Sequence, residues 1–325
     1  MTPADPLPSR VAAVTATFTA AVADGRLDLP LPGGGRTLER WRALVELAAD
    51  DLCVARLAEA HLDALAILAE LGGSAAPAGS RWAVWAAHPP QPLLVASESG
   101  DGWRLRGTKP WCSGARACTH ALVTADAPDG YRLFAVELAA ARPVAGTWHA
   151  VGMAGSDSLD VDLSGVAASP VGGPGDYLDR TGFWHGAMAV AACWYGGAAG
   201  LGRALLDAGA RRPLSPHALA HLGAVDSALS AVSTGLAAAA AIVDDDPRDL
   251  SGGARLTASR LRAQTESAST EVLHRVGRAL GAGPLCRDPR HAALATDLPV
   301  YLRQSHAETD LAGLGTLALE RDPAW

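Results

Sequence analysis

The feature that most constrains what this chain can fold into is a double change of hydrophobic period. Up to about residue 78, apolar side chains recur every three to four residues, as on one face of a helix. From about Ser80 they alternate in short runs, and after Tyr177 the helical spacing returns and holds to about Ala312. Helices, then strands, then four long helices is an uncommon order. It predicts an α+β chain with an N-terminal helical domain (1–78), a compact antiparallel β domain (79–175) and a C-terminal helical bundle (176–325).

Local signals sharpen these bounds. Ser9 is placed to cap a run carrying Val11, Val14, Phe18 and Val22, which the Pro/Gly-rich stretch from Leu29 to Gly35 ends. Thr37 opens a second run with Leu38, Trp41, Leu44 and Val45 on one face. A third starts at Asp51, carries Val54, Leu57, His61, Leu62, Leu65 and Leu68, and stops at Gly72-Gly73. His61 falls on that apolar stripe and reads as a packed core histidine in preference to a catalytic one. In the middle segment Trp82, Val84, Leu93, Val95, Trp103, Leu105, Leu122, Leu133, Val136, Leu159, Val161 and Leu163 are expected in strands, with turns at Asp101-Gly102 and Asp129-Gly130. Helix breaks are expected at Arg212-Pro213, Asp244 to Pro247 and Gly281 to Pro289. The Ala/Gly tract Gly186 to Gly202 predicts unusually close helix packing.

Composition removes several function classes. The net charge is −7 and no Lys/Arg run is present, which argues against nucleic acid as a partner. Lysine occurs once, at Lys109, so reactive-lysine chemistry has a single candidate. Five widely spaced cysteines without a Cys-x-x-Cys pair point to reduced thiols and to neither a disulfide framework nor a metal site. Residues 1–23 contain no apolar run long enough for a signal peptide or membrane span, so a cytoplasmic protein without a membrane partner is expected.

The segment Gly102-Trp103-Arg104-Leu105-Arg106-Gly107-Thr108-Lys109-Pro110-Trp111-Cys112-Ser113-Gly114-Ala115 resembles the signature strand pair of acyl-CoA dehydrogenases, Gly-x-x-Leu-x-Gly-x-Lys-x-Trp-Ile-Thr-x-Gly. The resemblance implies the family's fold, with a middle antiparallel β-barrel and a C-terminal four-helix bundle, and implies FAD as cofactor. Trp111 would be the wall against the flavin ring and Ser113 the hydroxyl donor to its edge, with Gly114 beside them. A flat, partly polar ring needs an aromatic face and a few aimed donors. Gly152 to Ser158, followed by Val161 to Val166, is similar to the family's Gly-Met-Arg-x-Ser segment and closing strand, with Ala154 in place of the Arg. Arg278-Ala279-Leu280-Gly281-Ala282-Gly283 is similar to its Gln-x-x-Gly-Gly-x-Gly, which implies phosphate contacts from Arg278, Gly281 and Ala282. Arg211, or its neighbour Arg212, matches another pyrophosphate-contacting Arg, and a solvent-facing arginine is the equal alternative. Because that family completes each flavin site with a neighbouring subunit, a homodimer or homotetramer is implied.

The departures from the family pattern bear on activity. The position matched with its catalytic glutamate is Ser305, followed by His306-Ala307. A positioned base contributes roughly 10² to 10⁴ in rate, so its replacement matters. The remaining candidate bases are His306 and His185, since an imidazole abstracts protons near neutral pH. The family's Thr-Glu-Pro-x-x-Gly-Ser-Asp loop has no counterpart in Trp82 to Pro90. Three readings follow: an FAD-dependent oxidoreductase acting on an acyl thioester such as acyl-CoA or a related small substrate, a flavin-dependent monooxygenase on the same fold, and a catalytically silent ligand-binding homologue. The electron acceptor is not specified by the sequence.

Overall fold

The computed structural model describes residues 6–87, 94–100 and 102–320. Two compact units account for them. The first takes the described residues of Met1–Leu29, Arg56–Ala150 and Ala154–Phe183; the second takes Pro30–Ala55, Val151–Met153 and those of Trp184–Trp325.

The first unit begins with α1 (Pro6–Ala23). Ser9 therefore lies inside the helix and not at its cap, where the sequence pattern puts it. Prolines at positions 6 and 8 are tolerated there because first-turn N–H groups have no helical partner to lose. α2 (Thr37–Asp50) and α3 (Leu52–Glu70) start within one residue of the expected positions. Eight strands follow: β1 (Trp82–Trp85), β2 (Leu94–Ser99), β3 (Gly102–Cys112), β4 (His120–Ala127), β5 (Gly130–Glu137), β6 (Arg142–Val144), β7 (Leu159–Asp162) and β8 (Ala167–Val171). Leu163 stands one residue past β7, and Leu93 and Asp101 lie outside the described residues.

Strand pairing closes a ring. β4 pairs with β5, β5 with β8, β8 with β3 and β3 with β2, all antiparallel, and β2 returns to β4 through the parallel pair Val95↔Asp126. Closure removes the exposed edges that an open sheet would present. β1 adds to β4 in parallel, and the second half of β3 leaves the ring to pair with β7, which carries β6. The last turns of α3 cover this barrel: Ala64, Ile67 and Leu68 pack with Trp82, Leu122 and Leu133. Each buried leucine or isoleucine among them contributes about 1.5–3 kcal/mol by leaving water. His61 is the core histidine the apolar stripe implied, since its Nδ1 accepts the Trp82 backbone N–H at 3.2 Å and its ring meets Phe18 edge-on.

α4 (Asp176–Asp179) ends the first unit's run of elements, and the second unit is built on three long helices: α5 (Gly182–Arg211), α6 (Pro216–Asp245) and α7 (Ala254–Leu280). The breaks fall where the Pro and Gly clusters predicted. α2 belongs to this unit, and its first residue is pinned by α6: the Asp244 carboxylate accepts from the Thr37 hydroxyl at 2.6 Å and its N–H at 3.0 Å. The small-residue tract of α5 packs directly on the α2 backbone. A Cβ on Gly196 would lie 2.5 Å from the Val45 carbonyl oxygen, and one on Gly200 2.6 Å from that of Ala49. The close packing foreseen for this tract is thus a backbone-to-backbone contact.

The fourth bundle position is filled in pieces by α8 (Ala282–Arg287), α9 (Pro289–Tyr301) and α10 (Glu308–Glu320). Among the described helices α6 alone is long and apolar enough, by length and composition, to cross a membrane, and 28% of its most apolar stretch is buried. In the fold it packs along α7, with Gly235 against Leu261 and Gln264.

Candidate functional site

The signature segment is shaped by an irregular β3. Its register against β7 shifts between Lys109 and Cys112, Pro110 offers no N–H, and Trp111 adopts a left-handed backbone with φ 56°. That conformation costs an ordinary residue roughly 1–2 kcal/mol. It throws the indole outward, leaving Trp111 59% exposed while Pro110 before it and Cys112 and Ser113 after it are buried. An uncovered indole on a strained residue is the kind of local cost that persists where a ligand face is presented.

Behind Trp111 lies a line of hydroxyls. Ser113 Oγ is 2.8 Å from Ser158 Oγ, which is 2.8 Å from Ser156 Oγ, and all three residues are buried. The Ser113 carbonyl accepts from the Trp85 indole N–H at 3.0 Å, and the Gly114 N–H donates to the Ser156 carbonyl at 2.7 Å. Gly114 has φ 72°, and a Cβ there would meet Cys118 Sγ at 2.8 Å, so glycine is required. Asp157, also left-handed at φ 50°, holds Arg116 through Nε at 2.8 Å. Residues 111–116 and 156–158 are therefore one structure. The family motifs cover both segments but give Ser156 and Ser158 no role; Ser156 ends a 3-10 turn, and the left-handed Asp157 after it turns the Ser158 hydroxyl back toward that of Ser156 just before β7.

Lys109 runs into the barrel, where its Nζ donates to the Thr124 carbonyl at 2.6 Å and hydroxyl at 2.8 Å. Burial pulls its pKa down to about 8, with Cys112 and Asp126 acting in the other direction. Burial pushes the Cys112 thiol well up and that of Cys118 up to about 12, so both are inert thiols at neutral pH.

In the second unit, His185 is buried on the first turn of α5 and lines a cavity of about 10 Å³ with Met188, Val243, Asp246, Asp249 and Ser251. That space holds about one water and no substrate. Arg211 closes α5, and Arg278 stands in the last turn of α7; both are exposed. Gly281, at φ 66°, ends α7 with open space where a Cβ would be, and Ala282 starts α8. The short α5–α6 connection and the return of α7 along α6 bring Arg211 and the Arg278 to Ala282 segment to the same end of the bundle.

Ser305 and His306 sit in the break before α10. Ser305 Oγ accepts the Ala307 N–H at 3.2 Å, and Asp310 accepts the His306 N–H at 3.0 Å. With Ala307 left-handed at φ 48°, these contacts form the start of α10. The His306 Nδ1 also stands 3.4 Å from the Asp310 carboxylate, an i,i+4 pairing whose spacing is visible in the sequence but which the family motif does not flag. Arg262 secures the segment just upstream, lying over the Trp194 indole and donating to the Gln304 carbonyl at 3.0 Å.

Asp51, Cys53 and Asp297 place ligand-type atoms within 4.8 Å of one another. Each already has a structural task. Asp51 accepts the Cys53 and Val54 N–H groups at the start of α3, and Asp297 accepts the Met153 N–H at 2.6 Å and the Cys53 thiol at 3.6 Å.

A β-barrel behind helices and a long-helix bundle after it, in this order, define the acyl-CoA dehydrogenase-like fold, and that is the fold of this chain. No protein-family model matches the chain, and no curated protein matches it. Among solved structures it is similar to dibenzothiophene monooxygenase TdsC from Paenibacillus sp. A11-2, at 18% identity, 98% coverage of both chains and a TM-score of 0.73. It is similar to KijD3, solved with FMN and a dTDP-linked amino keto sugar, at 19% identity, covering 98% of this chain and 93% of that one, with a TM-score of 0.76. It is also similar to the HsaA monooxygenase from M. tuberculosis, at 16% identity, 98% and 95% coverage and a TM-score of 0.76. At these identities the likeness is one of fold.

Proposed function

We propose that this chain is a flavin-dependent monooxygenase acting on a small organic substrate. The observation that carries the reading is Trp111, an exposed indole held on a left-handed residue beside the buried Ser113–Ser158–Ser156 hydroxyls. A flavin fits this set: an aromatic wall, a nearby hydroxyl and a glycine turn that keeps the backbone close. Bound and reduced, a flavin would supply oxygen activation, with one oxygen atom passing to the substrate, the other leaving as water and the two flavin electrons consumed. Similar solved structures include proteins named as monooxygenases, and FMN is present in structures of TdsC and KijD3.

Monooxygenation is favoured over α,β-dehydrogenation of a thioester by what stands at residue 305. A serine engaged with the Ala307 N–H cannot remove an α-proton as a carboxylate would. His306 suits the hydroxylation reading as the imidazole next to residue 305, exposed and with its Nδ1 3.4 Å from the Asp310 carboxylate. His185, with room for only one water beside it, is a packed residue in this reading. Self-association belongs to the same proposal: α6 keeps Leu219 and Ile242 exposed, and a second copy of the chain would cover them.

The test is reconstitution. Purified protein is mixed with FMN or FAD, reduced anaerobically and exposed to air-saturated buffer, and the expected result is flavin retention followed by reoxidation within seconds with oxygen consumed. Failure to retain either flavin would overturn the proposal. So would a reduced flavin that persists in air and is formed by added acyl-CoA.

A further inference from the structure

In the line of hydroxyls formed by Ser113, Ser158 and Ser156 no oxygen has a fixed role. Each carries one proton, and at 2.8 Å either member of each pair can be the donor. Ser158, in the middle, gives its proton to one neighbour and accepts from the other, so the line has two arrangements. In the first, Ser156 donates to Ser158 and Ser158 to Ser113, and the Ser113 proton is left to point outward. In the second, Ser113 donates to Ser158 and Ser158 to Ser156, and Ser113 offers only lone pairs outward. Ser113 is the open end, at 7% exposure against 4% for Ser158 and 0% for Ser156. Among the described residues no charged group hydrogen-bonds to the Ser113 or Ser158 hydroxyl to fix the direction. Asp157, between Ser156 and Ser158 in sequence, has its carboxylate taken by the Arg116 backbone N–H and guanidinium. The two segments are held together without the hydroxyls, by the Gly114 N–H on the Ser156 carbonyl at 2.7 Å and the Ala115 N–H on the Asp157 carbonyl at 3.2 Å.

We infer that these serines form a reversible hydroxyl chain, in which Ser158 positions the Ser113 proton so that one site holds a ligand atom both as acceptor and as donor. A flavin makes that demand: a ring nitrogen that only accepts in the oxidised state carries a hydrogen and donates in the reduced state. Toward the oxidised ring Ser113 donates. Toward the reduced ring it accepts, its own proton turns inward to Ser158, and the Ser158 proton turns to Ser156. No proton leaves its oxygen; each hydroxyl rotates about its C–O bond, so charge is unchanged. Without Ser158, an accepting Ser113 has its proton enclosed with no acceptor, whereas a donating Ser113 loses only a neighbour that donated to it. The first loss is the larger, because a buried donor left unpaired carries its full desolvation penalty. Ser158 is therefore a positioning residue that acts through Ser113 and bears on the reduced state more than on the oxidised one. The family resemblance implied a flavin contact for Ser113; it implied neither the reversal nor a part for Ser158 and Ser156. The identity of the ligand rests on the flavin reading.

The experiment measures binding of FMN and of FAD to the full chain, with the flavin oxidised and, anaerobically, reduced by dithionite, together with the midpoint potential of the bound flavin against a reference dye. Parent, Ser158→Ala and Ser156→Ala are compared. Ser158→Ala is expected to weaken reduced flavin about tenfold more than oxidised flavin, which lowers the midpoint potential of the two-electron couple by about 30 mV. Ser156→Ala is expected to move the potential in the same direction, because the inward proton is then stranded at Ser158, and it carries the test if Ser158→Ala does not fold. Affinity lost equally in both redox states, with the potential unchanged, would make the serines packing residues and overturn the inference while the flavin reading stands. Unchanged affinities, or a potential that rises, overturn it in the same way. A parent chain that binds neither flavin in either state sinks the flavin reading and the inference with it.

Discussion

Ser158 stands between Ser113 and Ser156, with its hydroxyl oxygen 2.8 Å from each of theirs, and so links the two segments of the barrel that form the candidate site. Removing the middle member breaks both links, whereas removing Ser113 breaks one. A net hydrogen bond contributes about 1 kcal/mol, and a buried hydroxyl left unpaired costs about 1–3 kcal/mol. Ser158→Ala is therefore expected to lower stability by about 2–3 kcal/mol and Ser113→Ala by about 1 kcal/mol, read from urea unfolding curves. Equal losses would mean that the three hydroxyls do not act as a chain.

Trp111→Gly separates stability from ligand binding. Glycine accepts φ 56° without the strain of a tryptophan, and a 59% exposed indole contributes little to the core. The melting temperature should stay within about 3 °C of the parent while flavin affinity falls by about tenfold or more. A variant that melts much earlier would show the indole to be a packing residue.

Two helical glycines should respond in opposite directions to the same change. Gly196→Ala places a methyl 2.5 Å from the Val45 carbonyl oxygen and must push α5 and α2 apart, which should cost about 2–3 kcal/mol. On α6, a Cβ at Gly223 meets nothing within 4 Å, so Gly223→Ala should stabilise by about 0.5–1 kcal/mol through helix propensity. Thermal unfolding of the two variants side by side checks both signs.

The elements were legible because their signals are local. The change of period at Ser80, the helix-ending prolines Pro213 and Pro247, and Thr37 at the head of α2 each act within a few residues of where they stand. The start of α1 was not legible, because prolines that read as breakers are harmless in a first turn. The site was legible only as far as its aromatic motif. Ser156 and Ser158 lie more than 40 residues from Ser113 and meet it through the β3–β7 pairing, and no local pattern states which strands pair.

Lys109 gives stability a pH dependence of known sign. Its folded pKa of about 8 lies below the 10.5 of an unperturbed lysine. Between those values the native state has released the proton while the unfolded chain still binds it, so this group makes unfolding less favourable as pH rises through that window. The gain is at most about 3 kcal/mol, since each tenfold change in proton affinity is worth about 1.4 kcal/mol. Cys112 and Cys118 oppose it: burial keeps them protonated in the native state after the unfolded thiols ionise, so their contribution is lost as pH climbs above about 9. A parent curve alone would mix the two effects. Because Cys112 and Lys109 act on each other, the comparison is made between Cys112→Ala and the double variant Lys109→Met/Cys112→Ala, in which Cys118 cancels; the double variant's stability relative to the single variant should fall by about 1–3 kcal/mol from pH 8 to pH 10.5. A difference that stays flat across that range would mean that the ammonium keeps its proton inside the barrel, held by Thr124 more firmly than burial opposes it.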